Sequence, residues 1–187
     1  MLSFGQNWPL VFLEALSVEI RKAQITDCKE LSEVAIASFL PAHGHSSPKK
    51  DMDRYIQLNF SESNLKAEIQ DSKNEYQVLL HNHKLVGYFK ININLSTSFS
   101  EENEITYMSR LYVLKEYYNF GFGKKLLEKA IEESKKQMQK GMWLKVWVEN
   151  KRAIQFYKKM GFEIIGTSDF VISKTHSNPN YVMLKKY

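Results

Sequence analysis

Gly121 and Gly123 sit one residue apart in "YYNFGFGKKLL", between an apolar strand-like run and a helix-like run. Glycine lets a backbone come close to a ligand, and the unpaired N–H groups of a helix start bind phosphate. Lys124 and Lys125 follow in the first helical turn, where a cation opposes the helix dipole. A bound dianion such as pyrophosphate would reverse the sign of that term. By itself the stretch fits a tight turn with solvated lysines equally well. It is not a Walker loop, because the four-residue spacer and the Ser/Thr after lysine are missing. It is not a dinucleotide fingerprint either, because Leu126 stands where the third glycine belongs.

A second stretch, "WVENKRAIQFYKKMGFEIIG", runs from Trp147 to Gly166. Asn150 stands where a helix leaves a strand, as an N-cap would. Ala153 is small on the first turn, Phe156 and Tyr157 follow, and Gly161-Phe162 restarts a strand. Taken singly, these residues read as a cap, a packing position and half-buried core.

The elements that must position these residues are legible from periodicity. A short strand is expected over Val18–Arg21, then a helix in "TDCKELSEVAIASF" capped by Thr26 or Asp27, with Leu31, Val34, Ala35 and Phe39 on one face. "PAHGHSS" reads as a loop, and Met52, Tyr55, Ile56 and Phe60 recur at helical spacing after it. "SESNLKAEIQD" is a further helix capped by Ser61 or Ser63. "EYQVLLHN" and "KLVGYFKININL" form a hairpin, and "EITYMSRLYVL" is a third strand after an acidic loop. The next helix carries Leu126, Leu127, Ala130, Ile131, Ser134 and Met138 as its buried stripe and stops at Gly141. "MWLKVWV", the helix from Asn150 to Gly161, and strands in "FEIIGTSDFVI" and "NYVMLKKY" complete the order. The expected fold class is mixed α/β (α+β), with a sheet of six or seven strands flanked by helices.

The two stretches together resemble the GCN5-related N-acetyltransferases (GNAT). That family has a pyrophosphate turn (Gln/Arg)-x-x-Gly-x-(Gly/Ala) and, past a strand, Asn-x-x-Ala-x-x-(Phe/Leu)-Tyr-x-x-x-Gly-Phe. Here Tyr118 replaces Gln or Arg in the first motif, and the second is complete in Asn150, Ala153, Phe156, Tyr157, Gly161 and Phe162. The resemblance covers roughly Val18 to the C-terminus and implies the GNAT fold, a mixed, mostly antiparallel sheet, with acetyl-CoA as co-substrate and no metal. It implies that the backbone of Leu111, Tyr112 and Val113 pairs with the pantetheine arm. Asn119, Phe120, Gly121, Phe122, Gly123 and Lys124 would supply N–H groups to the pyrophosphate. Asn150 and Ala153 would lie against the cofactor arm, and Tyr157 near the thioester sulfur, where it would donate a proton to the leaving thiolate with a modest driving force, because a thiol pKa near 8.5 lies below the tyrosine value near 10. The N-terminal half is similar to the PaiA-type branch, which implies a polyamine acceptor such as spermidine or spermine.

An alkyl ammonium has a pKa near 10.4 and cannot attack a thioester until it loses a proton. Family members often place a carboxylate on the central strand, but this chain has Tyr107 and Ser109 there. Glu104, farther back, is the expected base, acting through water. A polycation also needs carboxylates, and Glu101, Glu102, Glu104, Asp51, Asp53 and Glu62 are on offer. Two other readings stand beside the small-molecule one: acetylation of protein N-termini or peptides, and an acyl-CoA-binding regulatory module without catalysis. His43 and His45 could suggest a metal, but no third ligand stands at suitable spacing, so a substrate-lining or loop role is expected.

Composition bounds the rest. The chain has 187 residues, 43% hydrophobic and 25% charged, which suits one folded domain. Residues 18–187 form that domain and residues 1–17 an arm of unassigned role, whose Trp8, Leu10, Phe12 and Leu13 could pack on a second copy as a homodimer. The net charge of +5 comes from scattered lysines, so no nucleic-acid partner is expected. No stretch is apolar and long enough for a membrane span, and the N-terminal run lacks the basic start of a signal peptide. Cys28 is the only cysteine, which excludes an intrachain disulfide and fits a cytoplasmic location. Cys28 itself is expected to be packed and idle.

Overall fold

The computed structural model describes residues 17–187. The arm's apolar residues, Trp8 to Leu13, lie outside the described residues, so its role as a dimer contact stays an expectation. Seven strands and five α-helices follow in the order β1 (Val18–Lys22), α1 (Cys28–His43), α2 (Lys49–Phe60), α3 (Glu62–Gln70), β2 (Glu75–His81), β3 (Lys84–Asn92), β4 (Ile105–Val113), α4 (Phe122–Lys136), β5 (Gly141–Trp147), α5 (Lys151–Lys159), β6 (Glu163–Val171) and β7 (Ser177–Lys186). The strands make one sheet in the order β1-β2-β3-β4-β5-β7-β6, antiparallel except for β4 with β5.

Each element has a local cause. The β2–β3 hairpin turns on Asn82 and His83, both at positive φ, as the tight turn between twisted strands demands. β2 and β3 are buried along most of their length because helices cover both faces. On β4, Tyr112 turns toward α1 and its ring meets Phe39. Val113, the next residue, lies on the opposite face with Leu126 of α4, where both crowd Gly87. A Cβ on Gly87 would stand 2.9 Å from the Tyr112 carbonyl oxygen, so glycine is what lets β3 and β4 approach there.

Three boundaries differ from the periodicity. α1 continues through Pro41 to His43 instead of stopping in a loop. α4 ends at Lys136, with Gln137 as its C-cap and Met138 at φ 57. Met138 is therefore 83% exposed and not part of the stripe. Gly141 does not stop that helix; it opens β5, where a Cβ would meet the Lys185 carbonyl at 2.8 Å. Cys28 is buried, which pushes its thiol pKa up and agrees with an idle, packed role.

Two irregularities matter most. β4 and β5 pair over only four positions, from Ile105↔Gly141 to Met108↔Leu144. Past those the parallel strands separate. The β3–β4 register also slips between Lys90 and Ile91, which leaves Ser109 as the extra, bulged residue. The break and the bulge coincide at the middle of the sheet.

Candidate active site

The separation leaves β4 with an open edge inside the molecule. Leu114 N–H donates to Val86 O at 2.9 Å, so this residue faces β3. Successive residues of a strand alternate sides, so Tyr112 also faces β3 while Leu111 and Val113 turn their N–H and C=O groups into the gap. The Tyr112 carbonyl beside Gly87 agrees with that assignment. Of the three residues expected to pair with an added strand, two have their backbone available, and Tyr112 has given its own to β3.

The chain leaves β4 through a short 3-10 turn, Lys115–Tyr117, and enters α4 across Asn119 and Gly121, at φ 71 and φ 78. The first helical bond is Lys125 N–H to Gly121 O, 3.1 Å. Among the described residues the N–H groups of Gly121, Phe122, Gly123 and Lys124 have no acceptor. They form a row of donors at a helix start. A Cβ on Gly121 would meet nothing within 4 Å, and one on Gly123 would meet only Phe156, at 3.9 Å. Internal packing therefore does not explain Gly123; the space above it faces outward. Lys124 makes a long 3.7 Å pair with Glu128, both well exposed, which contributes little.

Arg152 is a residue the sequence reading passed over. It lies one residue past the start of α5 and reaches back across the gap. Its guanidinium stacks 3.8 Å over the Tyr118 ring and donates to Asn119 Oδ1 at 3.4 Å. The turn thus gains a cation where the motif's Gln or Arg is replaced by tyrosine. The signal was present only as an arginine two residues after the capping asparagine.

The far wall of the gap comes from β5 and α5. Asn150 accepts from Ala153 N–H at 3.1 Å, the cap read from the sequence, and its NH2 group makes no hydrogen bond among the described residues. Asn150, Ala153 and Tyr157 line the cavity with Leu111 and Tyr112. Tyr157 is 8% exposed, with its ring against Phe156 and Phe162. Burial pushes its pKa well up, so its hydroxyl keeps its proton at neutral pH. The proton is therefore in place at neutral pH, on an acid weaker than free tyrosine.

Glu104 does not join this group. It precedes β4 at the other end of the strand, roughly 20 Å from Leu111 at about 3.3 Å per residue. It is half exposed and pairs with Lys140. The expectation that Glu104 acts as base through water is corrected by that position. Glu102 likewise pairs with Lys186 at 3.0 Å, Asp53 with Lys49, and Asp51 accepts from Ser173 Oγ at 3.0 Å.

On the helix side of the sheet the cavity is walled by aromatic rings, chiefly Phe39, Tyr55, Phe60, Trp147 and Phe170. His43 stacks on Phe39 at 4.6 Å and faces Trp147; burial, with His45 nearby, pushes it down to about 4. It is therefore neutral at physiological pH and a weak base. The floor carries Arg110, which donates to Glu68 Oε2 at 2.7 Å and to Tyr76 Oη. Lys90 holds the other oxygen, Glu68 Oε1, at 2.9 Å. Burial raises the Glu68 pKa, but Arg110, Tyr76 and Lys90 outweigh it and leave the carboxyl below its ordinary value. Among the described residues no three His, Cys, Asp or Glu side chains stand close enough to hold a metal.

Comparison with known proteins agrees with this geometry. The family model described as Acetyltransferase (GNAT) family matches residues 34–162. A spermidine N(1)-acetyltransferase of Thermoplasma acidophilum is 28% identical over 169 residues, covering 87% of this chain and 100% of that one. An uncharacterized N-acetyltransferase of Mycobacterium bovis is 26% identical over 162 residues, 87% of this chain and 99% of that one. Among solved structures, the PaiA N-acetyltransferase of Thermoplasma acidophilum in complex with coenzyme A superposes with a TM-score of 0.75 at 26% identity, covering 92% of this chain and 100% of that one. With its parted central strands, its glycine turn and a family match across most of its length, this chain belongs to the acetyltransferase (GNAT) family.

Proposed function

We propose that the protein moves the acetyl group of acetyl-CoA to the primary amine of a small molecule, with both substrates bound at once. The observation that carries this reading is the open β4 edge at Leu111 and Val113, continuous with the free N–H groups of Gly121 to Lys124. An amide-bearing pantetheine arm would extend that edge as a strand does, and its pyrophosphate would meet the helix start. The Phe120 N–H, expected at the pyrophosphate, donates instead to Tyr117 O at 3.4 Å, so Phe120 shapes the turn with Asn119, and Arg152 adds a cation to it. Coenzyme A in the Thermoplasma structure supports the same ligand here.

The reaction then needs three things of the chain. The amine nitrogen attacks the thioester carbonyl, forming C–N as C–S breaks, and charge collects on the carbonyl oxygen. Val113 N–H, aimed into the gap, can donate to that oxyanion. Tyr157 can pass its proton to the departing thiolate and regain one from the water that takes the amine's proton, worth on the order of tenfold to a thousandfold. The attacking nitrogen loses its proton to water, since the cavity lining holds no carboxylate and His43 is too weak a base. The products are the N-acetyl amide and the free thiol.

The polyamine reading draws support from the Thermoplasma relative's name. The cavity does not supply the carboxylates that reading called for. A thiol-release assay with acetyl-CoA over polyamines, other small amines and peptides tests the proposal. Wild type should release thiol with at least one small amine. Tyr157→Phe should lower kcat tenfold or more while leaving Tm nearly unchanged, because the hydroxyl has no hydrogen bond to lose among the described residues. Acetyl-CoA binding with no turnover of any amine would instead mark a regulatory module, and turnover of peptides alone a peptide acetyltransferase.

A further inference from the structure

The charges that line the acceptor side are all of one sign. The cavity carries Arg110 and Lys145 and no carboxylate. The groove that continues from it past Tyr55 and Phe170 carries Arg54 and Lys174, again with no carboxylate. Asp51, at the rim, is taken by the Ser173 hydroxyl. Arg110 has its anion behind it, in Glu68, but that single carboxylate also serves Lys90.

Lys145 differs from Arg110. It points from β5 across β7, and its Nζ donates to Ser168 Oγ of β6 at 2.8 Å. No acidic side chain pairs with it among the described residues. Asn178 and Asn180, both buried on β7, line the same end of the cavity. Asn180 stands in register with Trp147 on one side and Ser168 on the other. The Lys145 ammonium with the Asn178 amide at this corner can hold a carboxylate, which offers one charge and planar acceptors, while the Asn180 NH2 is turned to the Pro179 and Asn178 carbonyls. They hold a second ammonium poorly. The aromatic rings between this corner and Tyr157 suit an apolar or aromatic body.

We propose that the acceptor is an amine that also bears a carboxylate, as an amino acid does, with Lys145 binding the carboxylate and setting specificity. This rests on the acetyl-transfer reading: the amine nitrogen bonds to the acetyl carbon, CoA leaves as thiol, and the carboxylate is a handle that does not react. The rings could also attract an ammonium through their faces, so a polyamine is the contrary outcome.

The experiment compares matched pairs that differ only in the carboxylate: phenylalanine with phenethylamine, and 4-(aminomethyl)benzoate with benzylamine. Spermidine is the third arm. In wild type the carboxylated member of at least one pair should have the higher kcat/KM, by tenfold or more. Lys145→Met should bring that ratio close to one, and Lys145→Arg should keep most of it. A preference for spermidine or for both carboxylate-free twins in wild type, or a ratio unmoved by Lys145→Met, overturns the proposal. If no amine is acetylated at all, the acetyl-transfer reading fails. The acceptor claim is then decided by calorimetric binding of the same pairs to wild type and Lys145→Met, where equal affinities for both members would overturn it.

Discussion

At the scale of residues, the glycine turn separates two roles that look alike in sequence. Gly121 needs its positive φ, whereas Gly123 has an ordinary backbone and open space above it. Gly123→Val should therefore fold, yet raise KM for acetyl-CoA about tenfold or more by filling the space the phosphates need. Tyr118→Phe should leave KM within about twofold, because the ring that Arg152 stacks on is kept. Steady-state kinetics with acetyl-CoA varied at saturating amine tests both, and two silent variants would show that the phosphates lie elsewhere. The turn was legible because its glycines and lysines are neighbours in the chain. Arg152 was not, because it meets Asn119 from 33 residues away. The Arg110–Glu68 pair, 42 residues apart, was hidden for the same reason.

At the scale of elements, almost every strand and helix followed from periodicity and caps. Failures fell where a tertiary contact overrode a local signal. Glycine suggested a helix stop at Gly141, but the tight approach of Lys185 is what requires it there. Proline suggested a break at Pro41, but the helix carries on for two residues and brings His43 to the cavity. Asn150 is a case where the local signal held. Asn150→Ala should lose the α5 cap at a cost of about 1 kcal/mol, lowering Tm by roughly 2–4 °C in a chain of this size. A thermal melt that does not move would show the cap to be redundant. The parting of β4 from β5 and the bulge at Ser109, in contrast, had no sequence signature, since both are properties of register between two strands.

At the scale of the whole molecule, charge ties the cavity floor to stability. Glu68 has a folded pKa below its ordinary 4.5, so its contribution is complete above that pH and is lost as pH falls through the lower folded value. Asp27, held down first by its hydrogen bond from Arg21, loses its share in the same direction below its ordinary 3.8. Stability should thus fall steeply below about pH 4.5. Glu68→Gln should cost on the order of 2 kcal/mol at pH 7, because it leaves the buried Arg110 facing no carboxylate, and should flatten the acid limb. Urea unfolding at pH 7 and at pH 3 measures both, and an acid limb as steep as wild type would remove Glu68 from the account.

The short β4–β5 ladder has a consequence for slow solvent exchange. Leu111 and Val113 sit within an interior strand, where amide protons ordinarily exchange last. Here they have no strand partner in the gap, while Leu114 on the same strand is held by Val86. The free protein should show an alternation along β4, with the Leu111 and Val113 amides exchanging much faster than those of Tyr112 and Leu114. Filling the gap should erase it. The sheet thus carries its own label for occupancy: two protons, at known positions, whose lifetime in heavy water reports whether the cleft is empty or full.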